Sequence, residues 1–243
     1  SLDGLLGDIP VEHRHPDLNL DAGLSEQELS TVFGSIAAEN ASASAGYISF
    51  LGAGSYSHYI PSTVRSILQR GEFVTAYTPY QPEAAQGTLQ VGFEFQTVIC
   101  QLTGMEVANA GMYDGPTAFA EACLMASRVT KRTKIGVLST SDQRLPNTLL
   151  AYSMYQGIDI VEISPDATEI PDDIACIGVQ SPNFFGEIED VERLTNLAHA
   201  NGALSVVHVN PTALGMFKAP GEFDVDIVTA EGQPLGVPMA FGG

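Results

Sequence analysis

Apolar residues after Gln86 follow a helical repeat. Val91, Phe95, Val98 and Leu102 recur at i, i+4, i+7 and i+11, while Leu89, Phe93 and Cys100 mark a second face. The spacing predicts a helix over 86–104 that Gly104 stops, and apolarity on two faces predicts burial between layers. Beyond it the pattern alternates. Val107 to Ala110 reads as a strand, and Gly115, Pro116 and Thr117 start a helix running to about Thr130. Strands are expected over 134–138, 158–163, 174–180, 203–209 and 225–228, and helices over 146–156 and 188–200. In the last helix Ile188, Val191, Leu194 and Ala198 share one face. Helices alternating with short β-branched runs predict an α/β fold, a mostly parallel sheet with helices on both faces.

The first 45 residues read differently. They carry loop chemistry at Arg14-His-Pro-Asp17 and a short helix whose capping box is Ser25 with Glu28. A glycine-rich loop follows, Gly52-Ala-Gly-Ser-Tyr-Ser-His-Tyr59, and Pro61 opens the next helix. The expected organisation is a peripheral segment over 1–45 and one large α/β domain over 46–243. The last residues, Phe241-Gly-Gly243, are turn formers without a closing element, so a truncated or partly disordered chain is expected.

Charge narrows the partners. Ten Lys and Arg against 29 Asp and Glu leave a net −19, a field that repels nucleic acid and anionic lipid. The basic run from Arg128 to Lys134 suits a helix C-terminus. Apolar runs are short and broken, and no charged-then-apolar leader opens the chain, so a cytoplasmic protein without a membrane span is expected. Cys100, Cys123 and Cys176 are far apart and read as buried thiols. The histidines at 13, 15, 58, 199 and 208 lack metal-site spacing. His208 ends a buried strand and reads as a structural histidine.

Several segments could carry chemistry. Gly52-Ala-Gly54 lacks the third glycine of a dinucleotide fingerprint. His58 lies beside Ser55 and Ser57, but no GxSxG elbow frames either serine. Met112-Tyr-Asp-Gly-Pro-Thr-Ala118 joins a predicted strand to a helix, where parallel-sheet enzymes hold phosphate on free N–H groups, yet Pro116 removes one donor. The stretch from Phe73 to Gly87 packs two tyrosines and two prolines ahead of the long helix. By itself it reads as a stiff connection with amphipathic lids.

The motifs then become specific. Tyr77-Thr-Pro-Tyr-Gln-Pro-Glu83, Gln86-Gly87, Leu102-Thr-Gly104, Ala108-Asn-Ala110 and Thr117 with Ala120-Glu-Ala122 occur in order. Gly221-Glu222, Asp226-Ile-Val228 and Gly232-Gln-Pro-Leu-Gly236 up to Phe241-Gly-Gly243 continue the series. From about residue 47 onward the chain resembles the glycine decarboxylase family, the P-protein of the glycine cleavage system, in its N-terminal half or separate first subunit. The resemblance implies a fold-type I aminotransferase-like large domain, with the small C-terminal domain of that subunit missing here. It implies a pyridoxal phosphate enzyme that decarboxylates glycine and passes the aminomethyl group to the lipoyl H-protein. In the two-subunit form, only the second subunit carries the cofactor lysine.

Set against that family, the chain departs at three places. The lysine that forms the internal aldimine falls on Gln233, and an amide cannot make a Schiff base. The strand ending at Asn210 offers no acid for the pyridinium nitrogen, and Pro116 weakens the phosphate loop. The implied role is a non-aldimine subunit with no catalytic residue of its own, paired with a pyridoxal-carrying second subunit, in an α2β2 assembly. Tyr77, Thr78, Tyr80 and Gln81 then become candidate walls of the partner's site, and Ser55, His58 and Tyr59 a second wall. Two alternatives stand beside it: a scaffold that binds the second subunit or H-protein without touching chemistry, and a free-standing pyridoxal enzyme related to cysteine desulfurases.

Overall fold

The computed structural model describes residues 2–41, 46–48, 50, 57–74 and 80–239. The chain divides after Leu51 into two compact units. The first holds α1 (Leu2–Leu5), a 3-10 turn at Val11–His13 and α2 (Glu26–Ala38). The predicted capping box is in place: Ser25 Oγ accepts Glu28 N–H at 3.3 Å, and Glu28 Oε2 accepts Ser25 N–H at 2.8 Å.

In the second unit, α3 (Ser62–Leu68) follows Pro61 as N-cap, and α4 (Gly71–Val74) precedes α5 (Gln86–Thr103). Gly104 ends α5 at φ 72°, a conformation glycine enters without steric cost. Then come α6 (Gly115–Thr130), β1 (Lys134–Leu138), α7 (Arg144–Ser153), β2 (Asp159–Ile163) and β3 (Ile174–Ser181). α8 (Val191–Ala200), β4 (Leu204–Val209) and β5 (Ile227–Ala230) complete the sheet layers.

All five strands are parallel, in the order β2-β1-β3-β4-β5. One apolar core joins α6 and α7 to Ile135, Val137, Cys176 and Val206. The other joins α8 to Ile177, Val179, Val207 and Val209. This is the α/β architecture the alternation predicted. Strand order reverses between β1 and β3, and in open parallel sheets the crevice beyond that reversal, at the carboxyl ends, is where ligands sit.

Several expectations need correction. α5 is where the periodicity placed it, but it is not buried between layers. Among its described residues only Thr103 is buried, and Phe93 is 67% exposed. Sequence pattern reports that a face wants cover, not that this chain supplies it. Val107 to Ala110 forms no strand: Gln96 Nε2 donates to the Ala108 carbonyl at 2.6 Å, taking an acceptor a ladder would use. The loop from Met112 to Ala118 therefore does not leave a strand, and Pro116 is the second residue of α6.

The last helix begins at Val191, because Asp190 caps it by accepting Arg193 N–H at 3.1 Å, which leaves Ile188 outside its face. The last strand likewise begins at Ile227 rather than Val225. Asp226 turns its carboxylate to Ser205 N–H, at 2.8 Å, and to His199 Nε2, at 2.8 Å.

Candidate functional site

The carboxyl ends of β4 and β5 meet the N-terminus of α6, where His208 and Glu231 approach Gly115. Parallel register sets Gln180, His208 and Thr229 in one row across three strands. Side chains two apart share a face, so this row continues the one that packs Gly178 and Val206 against α6. Gly178 is required there: a Cβ would lie 2.5 Å from Cζ of Phe119, which is fully buried.

The row is a hydrogen-bonded polar layer. His208 Nδ1 lies 3.0 Å from Thr229 Oγ1, and its ring meets Phe119 edge-on at 6.2 Å. Burial pushes the His208 pKa down to about 4, with Asp142 opposing the shift and Arg144 adding to it, so the ring is neutral near pH 7. Gln180 Oε1 accepts Asp142 N–H at 2.7 Å. Asp142 in turn binds Arg144 through two side-chain nitrogens, Nη2 at 2.7 Å and Nε at 3.1 Å. Burial works against the Asp142 charge, but the hydrogen bonds and charge of Arg144 hold its pKa below the ordinary value. Ser141 Oγ is buried without a partner beside this pair. The neighbouring pocket of about 350 Å³ is lined by Ser139, Arg144, Phe184 and Phe185 among others.

At the start of α6, where a phosphate would sit in such folds, the chain satisfies its own donors. Asp114 is the N-cap and its Oδ1 accepts Thr117 N–H at 2.8 Å. Glu231 Oε2 accepts Gly115 N–H at 2.7 Å, and Pro116 between them has no N–H. Gln233 lies just beyond β5 and is buried; its Nε2 donates to the Val237 carbonyl at 2.9 Å. Asn210, after β4, accepts Thr212 N–H at 3.1 Å and Thr212 Oγ1–H at 2.7 Å.

Of the seven candidate wall residues, four are among the described residues. Tyr77, Thr78 and Ser55 lie outside the described residues. Tyr80 and Gln81 are exposed, and the Gln81 carbonyl accepts Ala84 and Ala85 N–H, both at 3.0 Å, which makes a tight turn. Tyr59 is exposed, whereas His58 is half-buried with Nε2 unpartnered. Sequence reading missed Asp142, Arg144, Gln180, Thr229 and Glu231. Only Glu231 left a sequence signal, an acid two positions before Gln233 at a strand's carboxyl end. Among the described residues no group of three or more His, Cys, Asp and Glu could hold a metal ion, and no helix is long and apolar enough to cross a membrane.

Comparison with known proteins agrees with this fold. A probable glycine dehydrogenase (decarboxylating) subunit 1 of Desulfitobacterium hafniense (strain DSM 10664 / DCB-2) is 48% identical over 253 residues, covering 100% of this chain and 56% of that protein. The crystal structure of a glycine decarboxylase (P-protein) of the glycine cleavage system, in inhibitor-bound form, superposes with a TM-score of 0.89. It is 40% identical and covers 100% of this chain and 56% of that one. A cysteine desulfurase from Escherichia coli shares the fold alone, with a TM-score of 0.55 at 16% identity over 74% of this chain and 49% of that one. The chain thus spans about half the length of the curated relatives it matches, at 56%. Its residues 1–243 match the family described as glycine cleavage system P-protein, and the chain belongs to that family.

Proposed function

We propose that this chain acts as the first subunit of a glycine dehydrogenase (decarboxylating), the subunit without a cofactor lysine. The second subunit would carry pyridoxal phosphate. The assembled pair, doubled into a cytoplasmic α2β2 enzyme, would decarboxylate glycine and pass the aminomethyl group to the lipoyl H-protein. The observation that carries the reading is the self-satisfied start of α6. Its first donors are taken by Glu231 and Asp114, and the Gln233 amide, at the expected lysine position, is committed to Val237. These groups do not fit pyridoxal phosphate. The uncovered apolar faces of α5 supply what a related partner domain would cover.

An absorption spectrum with pyridoxal phosphate tests this. No aldimine band is expected from the chain alone, and a band with glycine-dependent CO2 release is expected only with the second subunit. A borohydride-reducible band on the isolated chain would refute it.

Tyr77, Thr78, Tyr80 and Gln81, with Ser55, His58 and Tyr59, are proposed to wall the partner's site. Replacing Tyr77, Thr78 and Gln81 together by Ala is expected to leave assembly intact and to lower turnover by about 10- to 100-fold, the scale of misplaced positioning groups. Unchanged turnover would favour a scaffold, which the exposed face of α5 also suits.

A further inference from the structure

We propose that Glu231 occupies, from within the chain, the place where this fold would otherwise hold a ligand's phosphate, and thereby closes the α6 N-terminus to anions. The proposal rests on the reading that this chain holds no pyridoxal phosphate of its own, and gives the physical means of exclusion.

Both carboxylate oxygens are engaged. Oε2 accepts Gly115 N–H at 2.7 Å and Oε1 accepts Gln233 N–H at 3.2 Å. One side chain therefore bridges the first residue of α6 to the turn after β5, across 116 sequence positions. α6 is a regular 16-residue helix, so its amino end carries the partial positive charge that attracts anions. Of the first three backbone positions, Gly115 gives its N–H to Glu231, Pro116 has none, and Thr117 gives its N–H to Asp114.

Gly115 is also crowded on its side-chain side. A Cβ on Gly115 would sit 2.9 Å from His208 Cε1 and 3.2 Å from Glu231 Cβ. Glycine lets the carboxylate reach the backbone, and the His208 ring packs against the same place. A tethered carboxylate has the advantage over a free anion, because it loses no translational freedom on docking. The net charge of −19 further disfavours an external anion.

The bridge fixes more than charge. Glu231 orders the backbone of Gln233, whose side chain then caps the Val237 carbonyl at 2.9 Å. The segment that would present a cofactor lysine is thereby hydrogen-bonded through Glu231 to the start of α6.

The test is thermal unfolding of the full-length protein and its Glu231→Ala variant in rising sodium phosphate, against sodium chloride at equal ionic strength. Glu231→Ala is expected to melt earlier and to show a phosphate-specific rise absent in the wild type. Its affinity for inorganic phosphate should be about tenfold or more tighter, the scale of an anion at a helix N-terminus. Equal phosphate stabilisation of the wild type would overturn the proposal, and so would a folded Glu231→Ala protein indifferent to phosphate.

Should that variant not fold, Glu231→Gln decides by NMR. The Gly115 amide proton is expected to move upfield when its charged acceptor becomes neutral, and an unmoved resonance overturns the proposal. A reducible pyridoxal adduct on a lysine of this chain would instead sink the underlying reading, whatever phosphate does.

Discussion

Phe119→Ala is expected to remove about 3–5 kcal/mol of stability, the range for deleting a fully buried aromatic ring. The ring joins α6 to the sheet where the candidate site begins. It meets His208 edge-on at 6.2 Å, and its Cζ stands where a Cβ on Gly178 would come within 2.5 Å. No solvent reaches Phe119, so its removal leaves a cavity that the strands beneath cannot fill without bending. Urea unfolding is the measurement: the midpoint should fall with little change in slope. A loss below about 1 kcal/mol would mean the core collapses onto the gap and the contact is not specific.

The pairing with Gly178 sharpens the case. Gly178→Ala should destabilise the chain by overpacking, and Phe119→Leu should lessen that cost when the two are combined. Additive effects would show that the two positions do not share space.

In acid, His208 is expected to cost the fold about 3 kcal/mol. Its pKa drops from 6.5 to about 4 in the folded chain, chiefly through burial. Above pH 6.5 the ring is neutral in both states and stability is unaffected. As pH falls from 6.5 to about 4, the unfolded chain binds a proton that the folded chain refuses, so stability declines through that window. Below it both states are protonated and this contribution stops changing.

Carboxylates titrate over part of the same range, and Arg144 holds the Asp142 carboxyl below its ordinary value. The comparison with His208→Gln removes that background. The wild type should lose about 3 kcal/mol more than the variant between pH 7 and pH 4 in chemical denaturation. Equal losses would place the ring in contact with solvent.

Much of the fold was legible because its signals are local. α6 starts and ends where the Gly-Pro-Thr opening and the basic run placed it, and β1 matches its apolar pattern to the residue. The α2 cap formed because Ser25 and Glu28 are three apart and satisfy each other. The family resemblance was legible from motif order, and the comparisons bear it out. What failed was decided at longer range. Asp226 left its expected strand for Ser205 N–H and His199, partners 21 and 27 positions away.

By itself, then, the sequence determined most of the helices and the strands from Lys134 onward, that these strands lie mostly parallel, and that no lysine follows Lys218 in this sequence. Periodicity, caps and composition act over three or four residues, so they can be read without a fold. Only the tertiary structure decided that α5 stays uncovered and that His208 is sealed beneath α6. It alone brought Glu231 to Gly115, since a carboxylate and an N–H 116 positions apart meet only when the sheet has closed its register.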